Sequence, residues 1–114
     1  MHQKYKEPNY ISQLVGDCFR LYRKEKGWSG KKMAEYIGIS QQQLSRYERG
    51  VNAITVDMLV NILIILDIKL SEFYARLISH LFSHPELSNH LPYLTTTDHQ
   101  IDDIKQYYTS SLII

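Results

Sequence analysis

The sequence predicts an all-α protein, a five-helix domain followed by a helical extension, and three observations carry that prediction. Apolar residues recur at the three- and four-residue spacing of amphipathic helices. Several of these stretches follow a Ser or Thr able to cap a helix, at Ser29, Ser40, Thr55 and Ser71, and three of them end at Gly27, Gly38 or Gly50. No stretch shows the alternation of a β-strand.

The elements follow in order. Residues 1–9 are polar around Pro8 and are expected to form a flexible N-terminus. From Tyr10, the residues Ile11, Leu14, Val15, Cys18, Phe19, Leu21 and Tyr22 trace the apolar stripe of a first helix ending near Gly27. Cys18 lies on this stripe, as a small core residue rather than a reactive thiol. Ser29 caps a short second helix carrying Met33, Ala34, Tyr36 and Ile37, which Gly38 ends. Ser40 caps a third, from about Gln41 to Arg49, with Gly50 as its left-handed stop. Two short helices joined by a tight glycine-containing turn make a helix-turn-helix candidate. Thr55 caps a fourth helix through Leu66, and Ser71 a fifth through about Phe82, so the domain is expected over residues 10–82. Ser83-His84-Pro85 and Leu91-Pro92 read as a linker, and Asp98 caps a last helix with Ile101, Ile104 and Tyr108 on one side, in an extension over 83–114.

At 114 residues the chain has room for one domain with a modest core and an appendage. The net charge of +1 conceals a division: residues 1–50 stand at +5 and residues 51–114 at −4. A basic half beside an acidic one suggests that the first meets a polyanion. The single cysteine excludes an internal disulfide. The opening MHQKYKEPNY lacks the apolar core of a secretory signal, and the apolar run from Met58 to Ile68 is broken by Asn61 and Asp67 and is too short for a membrane span. The expected location is therefore the cytoplasm of a bacterium, in association with the nucleoid, with no membrane partner.

The third helix carries the functional signal. With about 100° between successive residues, Gln41, Ser45, Arg49, Gln42 and Arg46 share one continuous arc, while Leu44 and Tyr47 lie opposite. The arc offers amides, a hydroxyl and two guanidiniums, with no carboxylate. Gln can pair with adenine N6/N7 and Arg with guanine O6/N7 in the major groove of DNA. The start of the helix adds backbone N–H groups and a positive dipole end suited to phosphate.

From about Leu14 to Leu77 the chain resembles the Cro/CI or XRE family of phage-repressor-like helix-turn-helix proteins. The matching pieces stand in order as Phe19-Arg20-Leu21-Tyr22-Arg23-Lys24-Glu25-Lys26-Gly27-Trp28-Ser29, Met33-Ala34-Glu35-Tyr36-Ile37-Gly38-Ile39-Ser40 and Leu44-Ser45-Arg46-Tyr47-Glu48-Arg49-Gly50. The resemblance implies base reading by Gln41, Gln42 and Arg46, with Gln43, Ser45 and Arg49 touching backbone or flanking bases. It also implies a structural ion pair between Arg23 and Glu48. One departure is Gly30, where the family usually has a Gln that touches a phosphate; Lys31 or Lys32 is expected to take over that contact. Another is the loop Val51-Asn52-Ala53-Ile54-Thr55, which lacks the usual proline but offers Asn52 for a phosphate. The run Ser40-Gln41-Gln42-Gln43-Leu44-Ser45-Arg46-Tyr47-Glu48 also looks like MrpJ-type regulators encoded with fimbrial operons, which implies repression of motility genes and adjustment of fimbrial expression.

One short recognition helix reads few base pairs, so dimerisation on a palindromic operator is the expected remedy. The fourth helix is apolar nearly all round, and Met58, Ile64 and Ile65, with Ile101, Ile104 and Tyr108, are the candidate interface of a homodimer. His80 and His84 stand one turn apart, with His90 and His99 further on, but without a second Cys or an acid at ligand spacing they read as structural or surface histidines rather than a metal site. No phosphate-binding glycine loop or nucleophile arrangement supports catalysis, and no cofactor or small-molecule substrate is expected. The reading is a homodimeric, sequence-specific regulator of transcription, a repressor, bound to double-stranded DNA. The alternatives are an antitoxin-like autorepressor whose acidic tail binds a toxin, and a protein-interaction adaptor on the same fold.

Overall fold

A computed structural model of the chain describes residues 9–86. They form five helices and no strand: α1 (Tyr10–Glu25), α2 (Gly30–Ile37), α3 (Gln41–Glu48), α4 (Val56–Leu66) and α5 (Leu70–Phe82). The extension expected to carry Ile101, Ile104 and Tyr108 lies outside the described residues, as do His90 and His99.

Side-chain caps start three of the helices. The hydroxyls of Ser29, Ser40 and Thr55 accept from the N–H groups of Lys32, Gln43 and Met58 at 3.0–3.1 Å, each satisfying a donor that the first turn leaves without a partner. The start of α5 differs from expectation: Lys69, not Ser71, stands at the cap, with no side-chain cap bond. The reason lies in the turn before it. Asp67 takes the left-handed conformation (φ 56°) and Ile68 N–H returns to the carbonyl of Leu63, so only Ile68 and the extended Lys69 follow before the chain turns helical again. Left-handed Gly38 closes α2 in the same manner, with Ile39 N–H bonded to the Ala34 carbonyl, and delivers the chain directly to the Ser40 cap of α3.

α1 packs against α3 and α5, α2 against α3 and α4, and α4 against α5. The core between them holds Cys18, Phe19, Met33, Leu44, Ile62 and Leu66, all essentially inaccessible, with the rings of Phe19 and Phe73 stacked at 5.2 Å. Burial pushes the Cys18 thiol up to about 11, the state of an inert core residue. Leu44 is the side chain by which α3 enters this core, so the opposite side of α3 necessarily faces outward.

The three interface candidates on the fourth helix differ in exposure. Met58 and Ile65 are half-buried and pack against the protein's own core, whereas Ile64 is 70% exposed. α4 has neighbours on two sides, α2 and α5, so much of its wide apolar surface is covered within the monomer. On α4 the large apolar residues left exposed are Val56, Val60 and Ile64, spaced four apart along one stripe.

Candidate nucleic-acid interface

The pose of α3 is set first by how closely it meets α1. A Cβ on Gly16, in the middle of α1, would stand 2.3 Å from the carbonyl oxygen of Tyr47 and 2.6 Å from that of Glu48. A Cβ on Gly50 would stand 2.4 Å from the backbone of Gln13, and Gly50 also has φ +69°, a conformation that L-residues with side chains rarely adopt. Two glycines thus bring the C-terminal end of α3 backbone to backbone against α1. Sequence reading assigned Gly50 only the role of a helix stop and passed over Gly16. The available signal was a glycine inside a strongly periodic helix, which often marks a close approach.

A two-pronged ion pair locks the same end. Arg23 Nε donates to Glu48 Oε2 at 2.8 Å, Nη2 donates to Oε1 at 3.0 Å, and Nη1 donates to the carbonyl of Trp28 at 2.9 Å. The Glu48 hydrogen bond raises the affinity of Arg23 for its proton above the ordinary guanidinium value. One arginine therefore ties α1, the α1–α2 turn and α3 together, and Glu48, only 8% exposed, belongs to the scaffold. A second arginine, Arg76 of α5, pairs with Glu25 and lies 4.5 Å over the ring of Tyr22. That contact holds the Glu25 carboxyl below its usual range.

With that end anchored, the start of α3 presents its side chains. Gln41, Gln42, Ser45 and Arg49 are exposed, Gln43 and Arg46 half-buried, and no carboxylate stands among them. Gly30 leaves room for Gln41, whose side-chain amide lies 3.7 Å from where a Cβ on Gly30 would be. Arg49 Nε donates to the carbonyl of Ser45 at 3.3 Å, which keeps that guanidinium along its own helix. Arg46 Nη2 donates to Asn52 Oδ1 at 3.1 Å, a contact across the α3–α4 loop that sequence reading missed. Lys31 and Lys32 are both exposed at the start of α2, with Lys32 Nζ 5.9 Å from the ring of Tyr36. Trp28 meets Tyr36 at 4.9 Å and carries Lys26 Nζ 5.4 Å above it.

The comparisons with known proteins meet this geometry at the same residues. Residues 19–73, from the middle of α1 to the start of α5, match the model of the helix-turn-helix family. This stretch belongs to the helix-turn-helix family, of the Cro/CI or XRE type. The helix-turn-helix domain is similar in sequence to an HTH-type transcriptional regulator of Sinorhizobium medicae, 39% identical over 74 residues, which are 65% of this chain and 53% of that protein. The chain thus spans about half the length of this curated relative. Its fold is that of the restriction-modification controller protein C.Esp1396I, with a TM-score of 0.64 at 22% identity over 68% of this chain and all of the other. The tetramer of that protein in complex with its natural 35 base-pair operator matches at a TM-score of 0.60 and 22% identity, over 64% of this chain and 96% of the other.

His80 and His84 have their rings 5.1 Å apart, His84 Nδ1 lies 2.8 Å from the carbonyl of His80, and His80 Nε2 lies 3.9 Å from Asp17 Oδ2. Among the described residues no group of three His, Cys, Asp or Glu side chains could hold a metal ion, and no helix is long and apolar enough to cross a membrane.

Proposed function

We propose that this chain is a sequence-specific DNA-binding regulator of transcription that lays the start of α3 in the major groove. The observation that carries the reading is the outward face of that helix: amides, a hydroxyl and guanidiniums without a carboxylate, held by a buried anchor at the other end. The operator complex of C.Esp1396I supports it by fold, and the regulator relatives favour gene control over catalysis. In this reading Gln41, Gln42 and Arg46 read bases. Gln43, Ser45 and Arg49 contact flanking positions, and Lys31, which no aromatic ring among the described residues engages, meets a phosphate more readily than Lys32.

The regulator acts as a homodimer on a palindromic operator, and its simplest mode is repression by occupying that site. The stripe of Val56, Val60 and Ile64 is the surface offered to a second copy, together with the exposed parts of Met58 and Ile65. The extension over 83–114 is assigned to the same task. A role in motility and fimbrial genes is a narrower reading that rests on the run from Ser40 to Glu48.

A competition assay on duplex DNA tests the proposal. Gln42→Ala and Arg46→Ala are expected to lose discrimination at particular base pairs, about 1–3 kcal/mol each. Lys31→Ala should weaken all sequences alike and reduce the salt slope by about 1. Unchanged sequence preference in both glutamine and arginine variants would refute this recognition face. Weak binding that vanishes at physiological salt would instead favour a protein-interaction adaptor.

A further inference from the structure

Each of the three arginines whose guanidinium reaches another element or loop has a partner on this domain, and the partners differ in kind. Arg23 and Arg76 are held by carboxylates, Glu48 and Glu25. Arg46 is held by a neutral amide, that of Asn52. A carboxylate neutralises the guanidinium it holds, whereas an amide oxygen fixes the group and leaves its charge in place. Structural arginines gain from the first arrangement, and an arginine that must meet DNA gains from the second.

The backbone puts Asn52 where it is needed. Gly50 turns left-handed and Val51 N–H closes on the carbonyl of Arg46, so the chain doubles back and returns residue 52 to the side of Arg46. A guanidinium has only donors, so the amide faces it with its oxygen. One Nη2 hydrogen is used, and other donors remain for a base edge. Arginine is a long side chain with many rotamers, and reading guanine requires two of its donors to arrive together in one plane. A half-buried hydrogen bond at 3.1 Å removes part of that freedom before DNA arrives.

We propose that Asn52 is a positioning residue for Arg46, presetting its guanidinium for one base pair, rather than chiefly a phosphate contact. This rests on the DNA-reading function proposed above. It uses the oxygen of the Asn52 amide, while a phosphate, having only acceptors, would need the amide N–H groups.

Selection from a pool of random-sequence duplex DNA, run with the full chain, tests the inference. The wild type is expected to enrich one motif, and Arg46→Ala to lower the preference at one column of it by about tenfold or more. Asn52→Ala should lower the preference at that same column by about three- to tenfold while its melting temperature stays within a few degrees. The double variant should be no worse there than Arg46→Ala alone. Asn52→Asp keeps an acceptor but sets a carboxylate on the guanidinium, so it should bind every sequence more weakly, through neutralisation of Arg46 and repulsion of phosphates. If Asn52→Ala left the column intact, or if it weakened all sequences evenly and added to Arg46→Ala, the positioning role would fall and the DNA-reading function would stand. A wild type that enriched no motif would overturn both.

Discussion

At the scale of single residues, the side chains on and behind α3 divide into proposed readers and structural fasteners. Glu48 is a fastener: it accepts two hydrogen bonds from Arg23 in a setting nearly closed to water. Removing one partner of such a pair strands the other, and the penalty exceeds the modest net worth of the pair itself. Glu48→Ala is therefore expected to destabilise the domain by about 3 kcal/mol in urea unfolding. Glu48→Gln, which can still accept one of the bonds, should lose less. The pairing of Arg23 with Glu48 was legible only through resemblance to a family, because residues 25 apart in sequence carry no local sign of contact. The outward arc of Gln41, Gln42, Ser45, Arg46 and Arg49 was legible from helical geometry alone. The bond from Arg46 to Asn52 was not, because it crosses a turn whose path depends on how Gly50 bends the chain.

At the scale of elements, caps and stops identified α1 to α4 within a residue or two, since these are local interactions written in adjacent side chains. The start of α5 escaped that logic because a left-handed Asp67, not a side-chain cap, sets it. Apolar periodicity likewise shows that α4 is to be covered but not how many neighbours cover it. That is why Met58 and Ile65 turn out to pack partly against the core while Ile64 stays exposed. The crossing of α1 over the end of α3 is the element contact with the least tolerance. In Gly16→Ala the added methyl would collide with the carbonyl oxygens of Tyr47 and Glu48, which are backbone and cannot rotate aside. A gain in helix propensity of up to about 1 kcal/mol would be outweighed by overpacking of about 1–3 kcal/mol or more. The variant is expected to melt lower than the wild type in a thermal scan, and Gly30→Ala, whose new methyl meets only Gln41 at ordinary contact distance, should not.

At the scale of the whole molecule, the proposed functions are divided in space as charge is divided in sequence. The basic half supplies α1, α2 and α3 and so the proposed DNA face, and α4 of the acidic half exposes the apolar stripe. Val56 and Ile64, 75% and 70% exposed, are the most open positions of that stripe, so Ile64→Lys should leave the fold intact, within about 0.5 kcal/mol, while weakening the proposed self-association. Sedimentation equilibrium on the full chain measures this directly, and an unchanged association constant would remove α4 from the interface. The glycine contact between α1 and α3 has a consequence on another timescale. α3 is clasped by main chain at its C-terminal end, while Gln41 and Gln42 at its other end are exposed. Their identities are therefore nearly free of folding constraint, so that, on the DNA-reading function proposed above, a lineage carrying this domain could acquire a new operator by changing a few exposed letters without passing through an unstable ancestor.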